Sequence, residues 1–335
     1  MTTEKKTHEA EKQKKLRVAL YWAASCGGCE ITVLDTDEKL LDILAVADIV
    51  FWPVAIDTKY DDVEKMENHS IDVCLFNGGI RNSEQEHMAK LLREKSKVLI
   101  SFGACSVSGG IPGLANLSNK DEIFDTAYVD NPSTSNPEKT LPKPSSQVKE
   151  GTLTIPEFYD IVYSLDQVVD VDYYLPGCPP PPHLILEAFT AIVNNKLPPK
   201  GSVLAPMKAV CEECRYKKSE KKIPQVKRVY DLEKIEEKCF LEQCVICLGP
   251  ATRAGCKGRC MEGNMPCTGC GGLLPNTVDQ GLSMISALGS VLGLEGEEGA
   301  SNEQTDALIE QIRDIVGTFY KYTLPVSLIN RKVRR

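Results

Sequence analysis

The sequence predicts an α/β fold in two parts: a parallel sheet covered by helices, then a smaller irregular domain organised around cysteines. Three observations carry this. Continuous apolar runs alternate with helical patterns through residues 16–200. From about Leu197 a sequence rich in Gly, Pro, Cys and charge, with little periodicity, replaces that rhythm. Two amphipathic patterns then close the chain.

Residues 1–15 form a Lys/Glu-rich tail without an apolar segment or paired arginines, unlike a secretory signal. The runs at 16–23, 47–53, 71–77, 97–102 and 168–175 read as buried strands. Most are continuous rather than alternating, as in a parallel sheet covered on both faces. Helical patterns lie at 30–44, 83–94 and 156–163, and another at 182–195 follows the last strand. This alternation implies right-handed crossovers and a flavodoxin-like domain over 16–200. Residues 112–155, rich in Pro, Asn, Ser and Lys, are too long for an ordinary connection. They read either as an insertion covering a partner surface or as a mobile loop. The second domain, 201–335, holds the cysteine run within 205–273 and is expected to depend on metals more than on a core. Its closing helices are expected at 277–292 and 302–322, the latter with Leu308, Ile309, Ile312, Ile315 and Val316 on one face.

Of 335 residues 42% are hydrophobic, enough for a sizeable core, and the net charge is −8. That balance argues against nucleic acid, which calls for basic stripes, and favours protein partners. No apolar stretch reaches membrane-spanning length; the longest, 281–294, is broken by Ser and Gly. The expected location is the cytoplasm. There, fourteen cysteines argue for metal or redox chemistry rather than a disulfide scaffold.

Eight of them are Cys211, Cys214, Cys239, Cys247, Cys256, Cys260, Cys267 and Cys270, with Cys244 among them. Two CxxC pairs are included, Cys211/Cys214 and Cys267/Cys270. The set suffices for two four-thiolate sites, and structural zinc shares this spacing with iron–sulfur clusters. Arg253, Lys257 and Arg259 run through it, either as counter-charges to anionic clusters or as a solvated basic face. A further four cysteines follow predicted strands: Cys26 and Cys29 in Ser25-Cys-Gly-Gly-Cys-Glu, Cys105 in Gly103-Ala-Cys, and Cys178 in Pro176-Gly-Cys-Pro-Pro. In a parallel sheet the C-terminal strand ends share one edge, where ligands bind, so these loops can surround one cluster. Cys-Gly-Gly-Cys alone also reads as a thioredoxin-type dithiol, but Cys105 and Cys178 have no part in one. Cys74, within a strand, reads as an inert buried thiol. Three cubane clusters account for twelve cysteines with one idea.

These motifs resemble the proximal-cluster motifs of nickel–iron hydrogenase small subunits, and those of the related small iron–sulfur subunit of respiratory complex I. The continuation through Leu248-Gly-Pro-Ala-Thr-Arg-Ala-Gly-Cys256 and Met265-Pro-Cys-Thr-Gly-Cys270 is similar to the cytoplasmic archaeal-type branch, typified by the gamma subunit of methyl-viologen-reducing hydrogenase. The resemblance implies three 4Fe-4S clusters: proximal on Cys26, Cys29, Cys105 and Cys178; medial on Cys256, Cys260, Cys267 and Cys270; distal on Cys211, Cys214, Cys239 and Cys247, with Cys244 the alternative to Cys247. It further implies an electron-transfer subunit whose catalytic nickel–iron site lies on a large-subunit partner. The implied acceptor is an iron–sulfur subunit linked to heterodisulfide reductase; deazaflavin- or sulfur-reducing hydrogenases are alternatives. Glu30 reads as a helix N-terminal charge or as an interface hydrogen-bonding group. A reading of another class, a zinc-stabilised module on a dithiol protein, stays open on the residues alone.

Overall fold

The computed structural model describes residues 15–219, 222–292 and 302–331. Five parallel strands form the central sheet: β1 (Leu16–Trp22), β2 (Ala47–Phe51), β3 (Ile71–Asn77), β4 (Ser96–Phe102) and β5 (Tyr173–Leu175). Their spatial order is β2-β1-β3-β4-β5, the flavodoxin-like order. Successive side chains point to opposite faces, so each run feeds two cores. Val18, Leu20, Val73, Leu75, Ile100 and Phe102 pack on one face with Leu184, Ile185 and Phe189. Ala19, Tyr21, Cys74, Phe76 and Leu99 pack on the other with Met88 and Leu92. This two-sided burial explains the continuous apolar runs. Cys74 is fully buried there.

The helices used below are α1 (Gly28–Leu34), α2 (Lys39–Val46), α3 (Ser83–Lys95), α4 (Ala104–Ser108), α5 (Pro182–Val193), α6 (Gln280–Val291), α7 (Asn302–Glu310) and α8 (Ile315–Phe319), with further short helices and turns between. Asn82 caps α3 by accepting from Gln85 N at 2.9 Å, and Asp279 caps α6 by accepting from Leu282 N at 2.8 Å. No helix among the described residues is long and apolar enough to cross a membrane.

Several expectations are corrected. The helix expected at 156–163 is a strand, Phe158–Tyr163, antiparallel to Ile80–Asn82. Its aromatic and β-branched residues favour extended backbone, and pairing buries Ile161 and Val162. The helix expected at 30–44 is broken into α1 and α2. Thr36 donates to Val33 O at 2.7 Å and Asp37 adopts a left-handed backbone (φ 52°), so the intervening turn competes with the helix. The strand expected at 168–175 is confined to β5. The helix expected at 302–322 is α7 and α8, because Asp314 starts a new helix by accepting from Gly317 N at 2.8 Å. Of its supposed apolar face Leu308 is buried, but Ile309 and Ile315 are exposed. Residues 112–155 contain short helical turns and an exposed hairpin, Ser145–Val148 with Gly151–Thr154. The second half has a core of its own, with Val210, Phe240, Met284, Leu288, Phe319 and Leu324 packed around the cysteines. The tail at residues 1–14 lies outside the described residues.

Asp172, just before β5, is a buried carboxylate on which this edge of the sheet converges. It accepts from Arg93 Nη1 at 2.6 Å and from Leu99 N at 2.8 Å, and pairs with Lys200. Burial pushes its acid up, but these donors outweigh burial and hold it below its ordinary value. Its stabilisation is therefore present above the unfolded carboxylate value of about 4 and is lost as pH falls through the lower folded value. Asp172→Ala is expected to cost about 3 kcal/mol by chemical denaturation at pH 7, through a stranded Arg93, and the loss should shrink in acid.

Candidate metal centres

Three loops at the C-terminal ends of β1, β4 and β5 are held together by hydrogen bonds. Gly103 N donates to Leu175 O at 2.9 Å and Ala104 N to Gly177 O at 2.7 Å, joining the β4 and β5 loops, while Ala23 N donates to Asn77 O at the end of β3 at 2.8 Å. Thr32 Oγ1 on α1 donates to Pro180 O at 2.8 Å. The result brings Cys26, Cys29, Cys105 and Cys178 together. Burial pushes the Cys29 thiol up, and the facing charges of Cys105, Glu30, Cys178 and Cys26 push it further. Cys105 is raised to about 12, by burial and then by Cys178 and Cys26, against the lowering effect of Ile111 and its own N–H. Close approach leaves no room for side chains on two residues. A Cβ on Gly103 (φ +84°) meets Cys29 Sγ at 2.3 Å, and one on Gly110 (φ +55°) meets Cys105 Sγ at 2.6 Å. Cys26 is exposed, so this quartet opens to the surface.

Glu30, beside Cys29, is 5% exposed and accepts from Asn77 Nδ2 at 2.8 Å. Burial raises its acid to about 7, partly offset by its own backbone N–H and by Asn77. It thus faces the end of β3, within this chain.

A second quartet, Cys256, Cys260, Cys267 and Cys270, surrounds a cavity of about 40 Å³ whose opposite wall is Pro176, Gly177 and Pro179. Cys270 is raised to about 12: burial raises it, the N–H of Cys178 on its sulfur lowers it, and Cys256, Cys260 and Cys178 raise it again. A third quartet, Cys211, Cys214, Cys239 and Cys247, surrounds a cavity of about 20 Å³ with Tyr216, Phe240 and Met261. Cys247 is raised to about 12 by burial and then by Cys211 and Cys239, against the N–H groups of Gly249 and Cys267. The Cys267 N–H reaches Cys247 Sγ at 3.3 Å. The three quartets therefore stand in a row: the loop that carries Cys178 walls the second quartet's cavity, and the second quartet's Cys267 N–H touches the third quartet's Cys247 sulfur.

Cys244 stands apart. It ends the turn Leu241–Gln243 in a left-handed backbone (φ 65°) and lines a surface groove with Lys217, Lys234 and Lys238 rather than either cavity. The three cations read from the sequence do not share one role. Lys257 and Arg259 are exposed, while Arg253 is buried and donates to Leu273 O at 3.0 Å and Pro206 O at 3.3 Å. Two residues escaped sequence reasoning. Glu213, between two cysteines of the third quartet, accepts from Gly255 N at 3.0 Å and Lys257 N at 2.8 Å, clamping the backbone on both sides of Cys256. Lys218 bears on Cys211. Acidic and basic residues beside a CxxC pair were the available signal.

The donor sets fit iron–sulfur clusters. Among the described residues no three His, Cys, Asp or Glu side chains are arranged for one metal ion. A zinc ion sits only about 2.3 Å from each sulfur and leaves no room between them. Here two quartets enclose cavities between their sulfurs, and the Cys267 N–H points at Cys247 Sγ, a hydrogen bond of the kind that tunes a cluster.

A family model described as NADH ubiquinone oxidoreductase, 20 Kd subunit, matches residues 26–192, which span the first quartet. Relatives extend the likeness over nearly the whole chain. An iron-sulfur subunit of the F420-non-reducing hydrogenase of Archaeoglobus profundus is 42% identical over 95% of this chain and 99% of that protein. The corresponding subunit of the F420-non-reducing hydrogenase of Methanothermobacter marburgensis is 37% identical over 96% and 98%. Its vhu-type counterpart in Methanocaldococcus jannaschii, also from an F420-non-reducing hydrogenase, is 36% identical over 95% and 98%.

Protein purified without oxygen is expected to be brown, with iron and acid-labile sulfide in equal amounts and little zinc. Colourless protein with stoichiometric zinc would show that the quartets hold single ions.

Proposed function

This chain belongs to the iron-sulfur subunit family of the F420-non-reducing hydrogenases, within the nickel–iron hydrogenase small subunits, and we propose that it relays electrons through three 4Fe-4S clusters to an acceptor linked to heterodisulfide reductase. It is an electron-transfer component of a hydrogenase complex, with hydrogen activated on a large-subunit partner. The proposed ligands are Cys26, Cys29, Cys105 and Cys178 for the proximal cluster. Cys256, Cys260, Cys267 and Cys270 hold the medial one, and Cys211, Cys214, Cys239 and Cys247 the distal one. The observation that carries this is the order of the sites: the Cys178 loop walls the second quartet's cavity, and Cys267 N–H of that quartet donates to Cys247 sulfur of the third. When bound, each cluster supplies a site that takes up and releases one electron.

The chain's own residues supply position and surroundings. Glycines and the stitched loops fix the first quartet at the open edge of the sheet, where the large subunit covers Cys26 and shortens the path from its nickel–iron site. The amides of Gly28 on Cys26 Sγ at 3.4 Å and of Cys267 on Cys247 Sγ at 3.3 Å stabilise charge on sulfur. The distal quartet faces the acceptor. The relatives' description as F420-non-reducing favours this acceptor over a deazaflavin. The complex is proposed to be cytoplasmic.

The purified complex should carry about twelve irons on this chain, four for each four-cysteine site. Cys178→Ser should remove the proximal signal and hydrogen-dependent dye reduction; survival of both with a full iron count sinks the assignment. Cys247→Ser should abolish the distal electron paramagnetic resonance signal, whereas Cys244→Ser should leave signal and iron content unchanged. The reverse pattern would move the distal ligand to Cys244.

A further inference from the structure

Lys218 lies at the boundary between the third quartet and solvent. It lines the cavity enclosed by Cys211, Cys214, Cys239 and Cys247, and it also lines the surface groove of about 660 Å³ beside it. Its ammonium donates to Cys211 O at 3.3 Å, which sets its positive charge beside the Cys211 thiol. Of the other cations nearby, Lys238 pairs with Glu236 and Lys208 with Glu213, while Lys217 and Lys234 line the groove but not the cavity. Arg253 is spent on carbonyls, and Lys257 and Arg259 are exposed.

We propose that Lys218 is a positioning residue for electron exit, holding a positive charge against Cys211 that raises the reduction potential of the distal cluster. The proposal rests on the three-cluster reading above. One-electron reduction adds one negative charge to the cluster and its thiolates. A cation in contact with a ligand favours that added charge, and potentials respond to charge and hydrogen bonding at the sulfurs. Because Lys218 is exposed, water and salt weaken the effect.

The test is a redox titration of the purified complex, with the distal cluster followed by electron paramagnetic resonance, for wild type, Lys218→Gln and Lys218→Arg. Lys218→Gln should weaken one-electron reduction of that cluster about tenfold, or about 59 mV. The proximal and medial midpoints should stay in place, and Lys218→Arg should stay near wild type. Raising the salt should narrow the difference between wild type and Lys218→Gln. The proposal is overturned if Lys218→Gln titrates as wild type with full iron, or if Lys218→Arg shifts as far as Lys218→Gln. It is also overturned if Lys218→Gln sheds the distal irons, since the residue then only holds the site together. A wild-type complex lacking a distal signal and its irons would instead defeat the three-cluster reading, a result visible before any substitution is made.

Discussion

Thiols crowded into a dry space cannot all ionise, and this chain crowds them three times. Cys105, Cys247 and Cys270 are each raised to about 12, first by burial and then by the other cysteines of the row. Cluster ligation needs thiolates, and uncompensated buried charges each cost several kcal/mol. A cationic iron core reverses the sign of that cost. The rest of the protein must therefore hold cysteines in place against their mutual repulsion, whether or not the compensating charge has arrived. Two apolar layers on the sheet and a third core around the cysteine run provide that framework.

The sheet solves the problem for the first quartet by topology. Parallel strands place three distant loops on one edge, and Gly103, Ala104 and Gly177 join two of them through the main chain. The second half has no sheet to do this. It uses local devices instead: the Glu213 carboxylate bridging Gly255 and Lys257, and the buried Gln280 amide donating to Gly269 O at 3.0 Å and Gly272 O at 3.2 Å. The two halves also share one cavity wall, because Pro176, Gly177 and Pro179 from the sheet face the second quartet. From the C-terminal side, Ser108 Oγ donates to Tyr322 O at 2.7 Å and Gly110 N to the same oxygen at 3.2 Å. The medial site is thus built across the seam and depends on both halves.

Much of this was legible in the residues. The buried strands are continuous apolar runs because both faces are covered, and the cysteines fall at strand ends because the sheet has one binding edge. What misled was periodicity taken without partners. Residues 158–163 carry apolar positions that suit a helix, yet Ile80–Asn82 supplies an edge to pair with and the aromatic and β-branched side chains settle into a strand. Residues 302–322 look like one amphipathic helix until Asp314 caps a new one. Charge was harder still. Arg253 looks from its place in the run like a counter-ion, but its direction is set by carbonyls far away in sequence, whereas Lys218 reaches back to Cys211 over a turn no pattern announces.

The two ends of the row meet the surface in different ways. Cys26 is exposed at one end, and at the other the third quartet is separated from a surface groove by the Lys218 side chain. Between them, Cys267 is 5% exposed and Cys256, Cys260 and Cys270 are half-buried, and the wall facing them is made of proline and glycine, with few polar groups to bring in water. A relay benefits from this arrangement. Its terminal stations must be approached by partners, so they tolerate solvent until covered. A middle station touches no partner, and water there would add reorganisation at every transfer. The middle site's Cys267 N–H is donated outward, to Cys247 Sγ at 3.3 Å, and the loop that carries Cys178 forms its inner wall, so the backbone that encloses the middle site also joins it to both neighbours.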